Sequence, residues 1–176
     1  MTIHSGHPFL PSDGERDPVR QFRGRVGATV SLWTAGSGIE RVGLTVTSYL
    51  VANGEPARIA ALLHEDSDLL ERLEETGAAV VALLEWRHRE LADVFAGRFP
   101  APGGPFRLAD WEDTPWGPRL VSAGAWVGVR LDPASRHDVG WSVMVEAVIE
   151  HAEVGDGDGD GDGESLIHRR GRYGRA

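Results

Sequence analysis

Four consecutive residues, Thr45-Val46-Thr47-Ser48, carry the densest set of neutral hydrogen-bonding side chains in the chain. They close a segment, Arg41 to Thr47, that alternates with period two. Val42, Leu44 and Val46 point to one face; Gly43, Thr45 and Thr47 point to the other. Ser48 then begins a turn, where backbone N–H groups leave the ladder. Clustered hydroxyls beside free amides suit a phosphate or a sugar, with no lysine required. A solvent-facing threonine ladder is the alternative on pattern alone.

Other chemistry is excluded by residue type. The chain has 176 residues, no cysteine and no lysine; its 18 basic residues are all arginine. Thiolate metal sites, thiol nucleophiles, Schiff bases and a phosphate-loop lysine are therefore absent. No Gly-x-Ser-x-Gly elbow, Gly-x-Gly-x-x-Gly turn or His-Glu-x-x-His helix occurs. His64, His88, His137 and His151 are isolated in sequence, and no carboxylates pair by spacing. No metal site is expected. The net charge is −9, with five negatives in Asp156, Asp158, Asp160, Asp162 and Glu164. An acidic remainder argues against nucleic-acid binding, which needs a basic face. The basic run His168 to Arg175 reads as a fold-closing or phosphate-facing segment. No apolar run approaches the roughly 20 residues that span a bilayer, so a cytoplasmic protein without a membrane partner is expected.

The elements that must position these residues are mainly strands. Residues 1–20 read as a mobile lead-in, 21–176 as one domain, and 155–164 as an acidic Gly/Asp loop. Val26 to Trp33, Arg58 to Leu63, Ala78 to Leu84, Ala125 to Leu131 and Trp141 to Ile149 read as strands. Ser67-Asp68 starts a first short helix that Gly77 ends, and Arg87 to Ala96 forms a second. Arg98 to Pro118, rich in proline and tryptophan, reads as a long loop. Closely spaced strands without regular helix alternation predict a small β-barrel with helical inserts.

Gly43-Leu44-Thr45-Val46-Thr47-Ser48-Tyr49 resembles the Gly-Leu/Met-Thr-Val/Ala-Ser/Asn-Ser-Phe motif of the flavin reductase-like, FMN-binding split-barrel family. Further marks follow in order: Glu55-Pro56, the apolar strand Ala79 to Leu84, the His88 to Gly97 helix, Arg98-Phe99, Trp111, Pro118 to Leu120, and Leu166 to Tyr173. The resemblance covers about Phe22 to Tyr173. It implies a six-stranded Greek-key split β-barrel with two short helices. It further implies a homodimer holding FMN, or FAD, in a groove near the dimer interface, with NADH or NADPH as co-substrate and hydride transfer to the flavin. By position, Thr45, Val46, Thr47 and Ser48 would hold the ribityl chain and phosphate, with Ser67 and His88 nearby. The family's histidine at the nicotinamide site is replaced by Trp141, which would either stack on the flavin and block the nicotinamide or fill core. An NAD(P)H-dependent flavin reductase is thus expected. A flavin- or haem-binding barrel without turnover is the alternative, and an interaction module with an empty groove the third reading. The acceptor and any oxygenase partner are not specified by the sequence.

Overall fold

The computed structural model describes residues 17–155 and 163–176. The acidic Gly/Asp segment, apart from its ends, and residues 1–16 lie outside the described residues.

Asp17 caps α1 (Pro18–Arg25): its side chain accepts from the Val19 N–H at 2.9 Å, and proline occupies the first turn. The helix thus begins inside the stretch expected to be lead-in. Strands β1 (Ala28–Thr29) and β2 (Ser31–Ala35) follow, divided at Val30, where one continuous strand was expected. Next come β3 (Val42–Val46), β4 (Tyr49–Ala52) and β5 (Arg58–His64). Helix α2 (Asp68–Thr76) starts at Ser67, whose Oγ accepts from Leu70 N–H at 3.3 Å, and ends at Gly77 with φ 68°. β6 (Ala78–Leu83), α3 (Arg89–Phe95), β7 (Trp111–Thr114) and β8 (Gly117–Leu120) lead to the long pair β9 (Ala125–Val139) and β10 (Ser142–Val154). β11 (Leu166–Arg169) and β12 (Arg172–Arg175) close the chain.

One antiparallel sheet dominates, in the order β3-β2-β6-β9-β10-β5-β4. Its two edge strands are consecutive in the chain and joined only by Thr47-Ser48. The sheet curls until its edges meet in one bent strand. The expected count of six strands and two helices is corrected to this seven-stranded sheet, two smaller sheets (β1-β11-β12 and β7-β8) and three α-helices.

Two apolar clusters explain why β2 and β6 are buried on both faces. Trp33, Val81, Val129, Val143 and Val145 pack with Leu69, Leu70 and Leu73 of α2 on one side. Leu32, Val80, Ala82 and Trp126 pack with Phe95 of α3 and Phe106 on the other. Each such side chain contributes about 1.5–3 kcal/mol on burial. The Ala78 to Leu84 run is apolar throughout because both of its faces are buried from Ala78 to Ala82 and again at Leu84; only Leu83 meets water.

The expected loop after α3 contains the β7–β8 hairpin. The Trp116 ring lies directly against the backbone of Gly128 on β9, where any Cβ would collide with it. Its indole N–H donates to Glu150 at 2.7 Å, and Arg130 holds the same carboxylate at 3.1 and 3.2 Å. The prolines conceal this hairpin in sequence: Pro115 lies in its turn and Pro118 in β8.

Candidate functional site

The site grows from the bend that joins the two sheet edges. Alternation along β5 sends Ile59, Ala61 and Leu63 into the core and Ala60 and Leu62 outward. Met144 on β10 pairs with Leu62, and Leu50 on β4 pairs with Ala60. These four form an apolar outer wall where a solvated sheet would carry polar residues. Thr47 and Ser48 sit at its end. Opposite stand α1, β1 and the turn Arg170-Gly171 between β11 and β12. The groove between the walls has a volume of about 1310 Å³, at the upper end of or above the ~300–1,000 Å³ usual for small-molecule sites.

Five arginines line it: Arg20, Arg23, Arg25, Arg98 and Arg170. No carboxylate among the described residues does. α1 is stitched to the closing hairpin by the Arg170 N–H donating to the Gly24 carbonyl at 2.6 Å and by Arg169 Nε donating to the Arg25 carbonyl at 3.3 Å. Arg98 is fixed by Asp93 at 3.0 Å and by the Tyr173 ring beneath it at 5.5 Å, and reaches His168 at 3.5 Å. Burial, then the guanidiniums of Arg98 and Arg23, hold the His168 imidazole below its usual range against the opposing pull of Asp93. Burial and Asp93 together push the Tyr173 phenol up to about 12. At the inner end, burial raises the Tyr49 phenol against hydrogen bonds from Thr29 and Ser31.

The residues expected from sequence are partly brought together. Thr47 and Ser48 line the groove, and the Ser48 carbonyl accepts from Leu62 N–H at 2.9 Å. Thr45 faces α3, its hydroxyl donating to the Ala92 carbonyl at 2.7 Å, and Val46 lies in the core. Ser67 caps α2. His88 is buried outside the groove. Its Nδ1 accepts from Glu85 N–H at 3.1 Å, which leaves the proton on Nε2, 3.0 Å from Ser122 Oγ. Burial first, then Arg87, lowers its pKa. Trp141 is 88% exposed in the Gly140-Trp141 turn joining β9 to β10. It therefore does not fill core, because the strands run past the Asp132-Pro133 turn expected from sequence.

Sequence reading put Arg170 in a fold-closing or phosphate-facing run but missed the α1 arginines of this wall. Asp17-Pro18 carried the signal, an N-cap followed by proline at the first helical position.

Comparison with known proteins gives the same picture. The family model described as flavin reductase like domain matches residues 23–176. The NADH:FAD oxidoreductase SgcE6 of Streptomyces globisporus superposes with TM-score 0.78 at 21% identity, over 94% of this chain and 99% of that one. Nitrilotriacetate monooxygenase component B from Mycobacterium thermoresistibile gives 0.78 at 20% identity, over 90% and 84%. The styrene monooxygenase flavin reductase of Pseudomonas putida S12 gives 0.76 at 18%, over 91% and 97%. No curated protein sequence matches the chain.

Proposed function

The chain belongs to the flavin reductase-like domain family, and from that premise we propose that it binds flavin and passes a hydride to it from a nicotinamide coenzyme. The observation that carries this reading is the groove, which joins an apolar wall to hydroxyls and guanidiniums. A flavin needs both: a flat apolar surface for its ring and donors for its ribityl chain and phosphate. Leu50, Ala60, Leu62 and Met144 supply the first; Thr47 and Ser48 supply the second. Thr45 and Val46 hold that segment from behind, through α3 and the core.

When bound, the flavin supplies the redox chemistry. The residues of the chain bind it, orient it and limit water at its ring, and a hydride step asks for no acid–base pair. FMN and FAD both fit the wall-and-donor arrangement.

A homodimer completes the reading. Leu50 and Val51 on β4 are 76% and 60% exposed, and Trp141 is more exposed still. Leu50 and Val51 line the groove, and exposed apolar surface of this kind is the kind a second copy covers. A cytoplasmic setting and an oxygenase that consumes the reduced flavin accompany this activity. Two structural neighbours are named as monooxygenase components.

The test is a spectrum of the purified protein with FMN or FAD, followed by NADH and NADPH without oxygen. Bound flavin that bleaches supports the proposal. Bound flavin that does not bleach supports a flavin carrier, with Trp141 standing in place of the family's histidine. Absence of binding overturns the flavin reading.

A further inference from the structure

The closing hairpin contains an anomaly. Strands β11 and β12 are joined by two residues, Arg170 and Gly171, with φ of 52° and 76°. Both being positive is the geometry that Asn-Gly adopts readily and that a long branched-charge side chain disfavours. Arg170 is the only non-glycine residue with positive φ among the described residues. Strain kept at one residue points to a use for its side chain.

That residue lines the same groove as Arg23 and Arg98. His168, two residues before it, feels both of those guanidiniums. Arg98 is held by Asp93, by Tyr173 and by His168, so it is oriented before any ligand arrives. α1, which begins at Pro18, presents the arginines of its last turn, Arg23 and Arg25, to the groove. Guanidiniums therefore supply the charge at this end.

The charge exceeds what the flavin needs. A flavin phosphate monoester carries about −1.5 to −2, and Thr47 and Ser48 already face it in the proposed reading. Apart from Arg20, four guanidiniums (Arg23, Arg25, Arg98 and Arg170) line the groove, and Asp93 offsets one of them. The diphosphate of a nicotinamide dinucleotide is commonly held on backbone amides, whereas a 2′-phosphate on its ribose is recognised by arginine. A phosphate monoester offers three acceptor oxygens to forked donors.

Building on the proposed flavin reduction, we propose that Arg170, with Arg23 and Arg98, forms a receptor for a phosphate monoester on the coenzyme, so that the protein uses NADPH in preference to NADH. The flavin's own phosphate is the other source of the same chemistry, and the experiment separates the two.

Titrate the protein with 2′,5′-ADP and with 5′-ADP by calorimetry, and measure anaerobic flavin reduction with NADPH and NADH. Wild type is expected to bind 2′,5′-ADP at least ~10-fold tighter, the scale of one charge-assisted contact, and to show a similar ratio of kcat/KM in favour of NADPH. Arg170→Asn suits the turn and should keep or raise the melting temperature. It should also bring both ratios down several-fold. Equal use of NADH and NADPH by wild type overturns the inference, as does an Arg170→Asn variant with unchanged ratios. A variant that loses FMN affinity while its coenzyme ratio stays fixed assigns the receptor to the flavin and likewise overturns it. In each of these cases flavin still binds to wild type and bleaches, so the flavin reading stands. Failure of wild type to bind any flavin overturns that reading, and this inference with it.

Discussion

The Thr45 hydroxyl donates to the Ala92 carbonyl at 2.7 Å, tying β3 to α3. Thr47, two residues on, has passed the end of the strand and lines the groove. Neighbouring threonines in one motif thus do different work, one tying the fold together and one lining the groove.

Substitution separates the two roles. Thr45→Val keeps the side-chain shape and removes one hydrogen bond from a carbonyl that still accepts from Ala96 N–H, so it should lower stability by about 0.5–1.5 kcal/mol and leave flavin affinity within about twofold, the error of such titrations. Thr47→Ala with Ser48→Ala should do the reverse, weakening flavin by about 1–3 kcal/mol with little change in melting. Urea denaturation and flavin fluorescence titration on the same samples check both. Equal flavin loss in the two variants would place Thr45 at the ligand.

His88 is 6% exposed and its pKa is lowered from the usual 6.5. The unfolded chain therefore binds its proton at a higher pH than the native state does. The stability that depends on neutral His88 is present in full above the usual value and is lost as pH falls below it. His168, lowered for the same first reason, contributes with the same sign. Melting temperature should drop from about pH 7.5 to about pH 5.5, across the histidine range. His88→Gln should flatten part of that slope. An unchanged slope would mean that His88 keeps its proton equilibrium on unfolding.

Gly128→Ala puts a methyl group into the Trp116 ring, which Glu150 holds by its N–H and on which His151 stacks at 5.3 Å. A loss of about 1–3 kcal/mol is expected from overpacking, with a change in near-ultraviolet circular dichroism from the Trp116, Trp126 and His151 cluster. A variant with wild-type stability and spectrum would show that the β7–β8 hairpin is not clamped there.

The exposed apolar rim gives a fourth expectation. Trp141→His should leave the stability of the fold within about 0.5 kcal/mol, as for other surface positions. Leu50→Asp should leave a folded protein whose mass by light scattering is that of one chain, where wild type gives two. A wild type that scatters as a monomer at micromolar concentration removes the dimer from the proposal.

Much of this was legible in the sequence because local rules and tertiary environment agreed. The hairpin around Gly36, the Ser67 cap, the Gly77 stop and the apolar β6 run obey spacing that burial only reinforces. The misses share a cause, in that distant contacts overrode local signals. Pro133 marks a turn in sequence, yet β9 continues to Val139 because β10 pairs with it beyond a register shift. Tyr49 to Ala52 is too short and too near Asn53-Gly54 to read as a strand, and only β5 makes it one. His88 starts a helix as expected, but the side to which its ring turns is decided by Ser122, far along the chain. Thr47 and Ser48 were legible as hydroxyls on a turn; the arginines that share their groove come from α1, from the segment after α3 and from the closing hairpin, three places far apart in sequence.

Both edges of the large sheet belong to the single stretch Val42–Ala52. Open sheets usually guard two distant strands against edge-to-edge association, with charges, prolines or bulges on each. Here one short length of sequence carries that duty for the whole sheet. α3 covers its first half at Thr45. The second half bears Leu50 and Val51, with no charged residue among its four. Solubility of this chain is therefore concentrated at one place. A change in β4 that exposes it should produce aggregates long before it lowers the melting temperature.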